Sequence, residues 1–96
     1  MNYSFHPEAE TEFLQAIEYY EECEENLGYD FAVKVYSAIR RILIFPQAWP
    51  ILHDDIRRAL IQRFPYGILY AEGKEEIFIL ALMNLHREPG YWKHRL

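Results

Sequence analysis

An α+β fold in the order β-α-α-β-β-β is predicted by three observations. Apolar residues recur with a helical period through the first half of the chain, and the period drops to two in the second half. A connector containing Pro46 and Trp49-Pro50 separates the two. The 96 residues suffice for one domain, residues 1–96, and 51% hydrophobic content supplies a core without covalent staples.

The first element, Asn2 to Phe5, is short and extended. His6-Pro7-Glu8 then opens a helix, with proline in the first turn and Glu8, Glu10 and Glu12 near its positive end. At 100° per residue, Ala9, Phe13, Ala16, Ile17, Tyr20, Cys23 and Leu27 form a core-facing stripe, and Gly28 ends the helix. Cys23 is expected to be an inert core thiol. Glu18, Glu21, Glu22 and Glu25 face the other way with no basic residue four positions on, so this helix depends on tertiary packing and its acidic face is a solubility surface. A second helix starts near Asp30 as N-cap and carries Phe31, Val35, Ala38, Ile39, Ile42 and Phe45 on one stripe before Pro46 stops it. Two such stripes joined by a short break make an antiparallel helical hairpin.

Beyond the connector, Arg57 to Gln62 alternates, with Arg57, Ala59 and Ile61 on one face and Arg58, Leu60 and Gln62 on the other. Phe64-Pro65-Tyr66 breaks that strand, Gly67 to Glu72 forms the next, and Gly73-Lys74 is a two-residue hairpin loop. Glu76 to Leu85 is apolar on both faces and therefore central. The expected architecture is a helical hairpin packed on one side of a small, mainly antiparallel sheet that ends in a three-strand meander. Periodicity leaves the partner of the first strand open.

Ten bases against fifteen acids give a net charge of −5, which argues against coating nucleic acid by bulk charge. The bases are unevenly spread. In residues 1–50, Lys34, Arg40 and Arg41 stand against nine acids, whereas residues 51–96 carry seven bases against six acids. A local cationic site on an acidic body is the consequence. One cysteine makes no intramolecular bridge, and no apolar run approaches the roughly 20 residues of a membrane span. A soluble, cytoplasmic protein is expected. His6, His53, His86 and His94 show no metal-ligand spacing, so no metal or cofactor is expected.

Several words of the sequence carry a family resemblance. They are His6-Pro7-Glu8-Ala9, Ile56-Arg57-Arg58, Arg63-Phe64-Pro65-Tyr66-Gly67-Ile68-Leu69-Tyr70, Ile79-Leu80-Ala81-Leu82-Met83 and His86-Arg87-Glu88-Pro89-Gly90-Tyr91-Trp92-Lys93. In order and spacing, across nearly the whole chain, the sequence resembles the RelE/ParE superfamily of toxins from bacterial type II toxin–antitoxin modules, often labelled plasmid stabilisation proteins. The resemblance implies a small stable poison silenced by a cognate antitoxin protein. It also implies one of two activities, because RelE-like members cut messenger RNA on the ribosome without a metal, while ParE-like members bind and block DNA gyrase. Fold alone does not choose between them.

Metal-free cleavage through the 2′-hydroxyl needs a base, an acid and cations around the phosphorane. His86, Arg87 and Tyr91 are suitable types, Arg63 offers a second clamp because a guanidinium fork suits phosphate oxygens, and the resemblance implies catalytic positions for Arg87 and Tyr91, so these four are the catalytic group if the chain is RelE-like. One departure opposes that role: RelE-like nucleases carry arginine in an Arg-x-x-Tyr word on the second meander strand, and here the word reads Gly67-Ile68-Leu69-Tyr70. The acidic chain should also approach the ribosome poorly. The ParE-like side is therefore favoured, as an inhibitor and not an enzyme, with Arg57, Arg58, Tyr66, Arg87, Tyr91, Lys93 and Arg95 as the target-binding surface. The oligomeric state is left open.

Overall fold

The computed structural model describes residues 1–96. In chain order it has β1 (Asn2–Phe5), α1 (Pro7–Cys23), α2 (Leu27–Ile44), β2 (Ile51–His53), β3 (Ile56–Leu60), β4 (Tyr66–Glu72) and β5 (Glu76–Asn84), then a 3-10 turn over Lys93–Arg95. The five strands form one sheet in the order β1-β5-β4-β3-β2. β3, β4 and β5 are the antiparallel meander, and β1 lies parallel to β5, with Asn2 opposite Glu76 and Phe5 opposite Ile79. The α+β architecture is the expected one. β5 is interior, as an all-apolar strand must be, although β4 occupies the middle of the sheet.

The connector is less irregular than expected. Ile51–His53 forms the extra strand β2, pairing antiparallel with β3 across a register shift. Three residues are too few to display a period. Arg57 fixes the connector, its Nη1 donating to the carbonyls of Trp49 at 2.6 Å and Gln47 at 3.4 Å.

The helical hairpin corrects five expectations. Gly28 does not end α1; it is the second residue of α2, and it is buried. A Cβ there would stand 2.5 Å from the carbonyl oxygen of Ile17, so only glycine permits this approach of the two helices. The turn is made instead by Asn26, in the left-handed region at φ 70°. Asp30 is not the N-cap. The Glu21 carboxylate reaches over from α1 to accept from the backbone N–H of Asn26 at 2.9 Å and of Gly28 at 3.0 Å, so it caps α2 and is more than a solubility residue. Cys23 is exposed, because α1 ends there and Leu27 belongs to the second helix, so the buried stripe stops at Tyr20. Phe45, at the C-cap of α2, is 65% exposed and lies outside the core.

Burial divides between the two faces of the sheet. On the helix side, sixteen buried residues form one cluster that includes Phe13, Phe31, Val35, Ile42, Ile68, Tyr70 and Ile79. Phe31 is fully buried, with the rings of Tyr20, Phe64 and Tyr66 5.0–5.1 Å away. Tyr70 donates its hydroxyl to the Pro46 carbonyl at 2.6 Å, and burial pushes its pKa up to about 12. On the other face the tail folds back, and Trp92 joins Ile56, Leu69, Leu80, Ala81 and Met83. A bulge in β5 serves both faces. Leu69 pairs with Ala81 and Tyr70 with Ile79, which leaves Leu80 extra and flips the alternation. Ile77 and Ile79 before the bulge, and Leu82 after it, thus all join the helix-side core.

Candidate functional site

β1 stops at Phe5 while β5 continues to Asn84, so the outer edge of β5 loses its backbone partner partway along. The last backbone bond is from His6 N–H to the Ile79 carbonyl at 2.8 Å. Beyond it, side chains complete the edge. Glu12 Oε1 accepts from Leu82 N–H at 3.0 Å, and Arg95 Nη1 donates to the Leu80 carbonyl at 3.1 Å. Glu12 lies three residues after Ala9 and four before Ala16, both buried, and these small neighbours leave it room beside β5.

Glu12 is the hub of this region. Its carboxylate accepts from both terminal nitrogens of Arg95 at 2.9 Å and from the Tyr91 hydroxyl at 2.6 Å. Arg87 Nη1 lies 3.8 Å from Oε2, with its guanidinium 3.8 Å from the centre of the Tyr91 ring. The pair is largely sheltered, with the Glu12 side chain 13% exposed and that of Arg95 4%. Burial, and then the bond to Glu12, push the Tyr91 phenol far above its ordinary pKa. The guanidinium's own hydrogen bonds to Glu12 raise the pKa of Arg95. A second pair ties down the end of the tail: His94 Nε2 is 3.0 Å from Glu8 Oε2, and its Nδ1 is 2.9 Å from the Tyr91 carbonyl oxygen. That His94 contact holds the Glu8 carboxyl below the usual carboxylate range.

Above the hub opens a cleft of about 410 Å³ between α1 and the end of the meander. Glu12, Tyr66, Asn84, His86, Arg87 and Tyr91 line it. Asn84 shapes the rim, because its side-chain oxygen accepts from His86 N–H at 2.8 Å and its carbonyl from Arg87 N–H at 3.0 Å.

Of the residues singled out from sequence, Tyr66, His86, Arg87 and Tyr91 meet in this cleft. Arg63 does not. It sits in the turn after β3 at φ 74°, with its guanidinium 3.4 Å from Asp30 and over the Phe64 ring. Arg57 is engaged with the connector and Arg95 with Glu12, so neither guanidinium is free at the surface. Arg58 and Lys93 line a second recess on the opposite face of the sheet, which Arg87 also borders. The sequence marks Glu12 only as one of three acids near the positive end of the first helix, not as a site residue. The available signal was a carboxylate between two alanines on the flank of an apolar stripe, a place where a merely solvated glutamate has no need of small neighbours.

No three His, Cys, Asp or Glu side chains gather in a group able to hold a metal ion, and no helix is long and apolar enough to cross a membrane. Neither a protein-family model nor a curated protein matches the chain. Among solved structures, a chain described as the chromosomal ParDE TA system from P. aeruginosa has the same fold. It aligns with a TM-score of 0.62 over 90% of this chain and 97% of that one, at 17% sequence identity.

Proposed function

We propose that this chain is the toxin of a type II toxin–antitoxin module. It is ParE-like, stops growth in the cytoplasm by binding a cellular target, with DNA gyrase favoured, and is silenced by a cognate antitoxin. The fold shared with a ParDE chain supports the module, and one observation supports binding over catalysis: the Glu12 carboxylate lies at the centre of the cluster that would have to be catalytic. A nuclease of this type surrounds a doubly charged phosphorane with cations and offers it a proton. Here a fixed carboxylate takes the Tyr91 proton as a hydrogen bond and engages Arg95, with Arg87 close by. At Gly67, where the nuclease pattern has arginine, a Cβ would already stand 3.1 Å from Arg58 Cγ.

The alternative is a RelE-like, ribosome-dependent, metal-free mRNA endoribonuclease using Arg63, His86, Arg87 and Tyr91. It draws support from the cleft shared by the last three. Pulse-labelling of DNA and protein synthesis within minutes of inducing the chain without antitoxin separates the readings. DNA synthesis is expected to fall first, and purified gyrase to lose supercoiling activity when the protein is added. Protein synthesis falling first, with mRNA cleavage abolished by Arg87→Gln, would replace this reading with the nuclease. Growth unaffected by either route would leave only an antitoxin-binding protein.

A further inference from the structure

The face of the sheet away from the helices carries a recess of about 240 Å³, distinct from the Glu12 cleft. Its apolar lining includes Leu52, Met83 and Trp92, and its polar lining is all basic in type: Arg58, Arg87, Lys93 and His53, with no carboxylate. Two of these cations are uncommitted. Arg58 and Lys93 have no part in any of the ion pairs of the fold. Arg58 is half-buried, and its stem lies against Gly67 close enough that a Cβ there would be 3.1 Å away. Gly90, at φ 89°, turns the tail so that Lys93 folds back alongside it. Lys93 and Arg58 are thereby brought from the tail and the sheet to one apolar hollow.

The geometry points to a docking pocket for a partner polypeptide, taking one acidic side chain together with a neighbouring apolar one. The size favours this occupant, since ligand cavities usually run to roughly 300–1,000 Å³ and this recess is scaled to one or two side chains. Charge complementarity supplies the acid and the Trp92 floor the apolar neighbour. A nucleic acid strand fits less well. Its backbone would have to run past exposed Asp54, Asp55 and Glu88 close by in sequence to the lining residues, on a chain of net charge −5. The inference does not depend on which cellular target the protein has.

The test is a proton–nitrogen NMR titration of the full chain with acetyl-Leu-Asp-Leu-amide, the matched Leu-Asn-Leu peptide and a short single-stranded oligonucleotide. The aspartate peptide is expected to shift the Trp92 indole and the Gly90 and Lys93 amides, to bind at least tenfold more tightly than the asparagine peptide, and to weaken as salt is raised. Arg58→Gln and Lys93→Gln should each weaken it several-fold, whereas Lys74→Gln, in the β4–β5 loop, should leave it unchanged. Equal binding of both peptides, or no shift at these signals, would overturn the proposal. So would tighter binding of the oligonucleotide at the same signals, which would mark the recess as a nucleic acid site.

Discussion

The two faces of the sheet are held down by different physics. Behind the helices, stability is spread over sixteen buried apolar residues, none of which acts alone. On the other face the apolar cluster has six members, and the tail that supplies Trp92 is anchored chiefly through Glu12, which accepts three hydrogen bonds from it, with Glu8 holding His94 at its end. The distributed side degrades gradually and the anchored side fails at a point. The candidate cleft is bordered by both, by Ala16 and Leu82 of the helix-side cluster and by Glu12 and Tyr91 of the anchor.

Truncating the helix side should have the largest effect. Phe31→Ala removes a fully buried ring touching three others, with an expected loss of about 3–5 kcal/mol and an unchanged m-value in urea unfolding. Glu12→Ala should cost about 3 kcal/mol, since it strands the sheltered Arg95 guanidinium, but the loss should be local in character. Hydrogen exchange is expected to accelerate at Leu82 and along residues 87–96 well before the helix-side amides. Uniform acceleration would mean that the two faces are one cooperative unit and would break the comparison. A smaller effect sharpens it through pH. The Glu8 carboxyl titrates below its ordinary value of 4.5, chiefly because of His94, with Arg95 and His6 contributing. A folded pKa below the unfolded one adds stability that is present above the ordinary carboxylate range and is lost as pH falls through the lowered value. NMR titration should give a midpoint under 4.5 that rises in His94→Gln; an unmoved midpoint would remove His94 as the cause. Cys23→Ser should change stability least, by under about 0.5 kcal/mol, and the wild-type thiol should react with a disulfide reagent in the folded protein.

Much of the architecture was legible in the sequence because it rests on local patterns. The stripes through Ala9 to Tyr20 and Phe31 to Ile42, and the alternation through β3 and β4, reflect which side chains must leave water. What escaped depends on partners distant in sequence. Glu12 meets groups 70 to 83 positions away, and the alanines that flank it in the chain signal room beside it but not which groups fill that room. In sequence Glu21 belongs to an acidic face, because its role as the cap of α2 depends on how tightly the hairpin closes at Gly28. Residue chemistry alone groups Arg63 with His86 and Arg87, and the turn after β3 carries it to Asp30 instead. Of the cleft lining, the sequence names Tyr66, His86, Arg87 and Tyr91, in two different roles, but not the carboxylate that holds Tyr91 and lies beside Arg87.

The parallel pairing of β1 with β5 has a consequence for the order in which the protein comes into being. During synthesis the helical hairpin emerges early, with its apolar stripes uncovered, while β1 must wait for a partner strand more than seventy residues later. Contacts of such long sequence separation are slow to close. The cleft waits longer still, because Tyr91 comes late in the chain, and so does Arg95, which shares Glu12 with it. A nascent chain therefore has no complete cleft until residues 91–95 are free to fold. A partner that recognises the bare hairpin could engage the protein before that cleft exists.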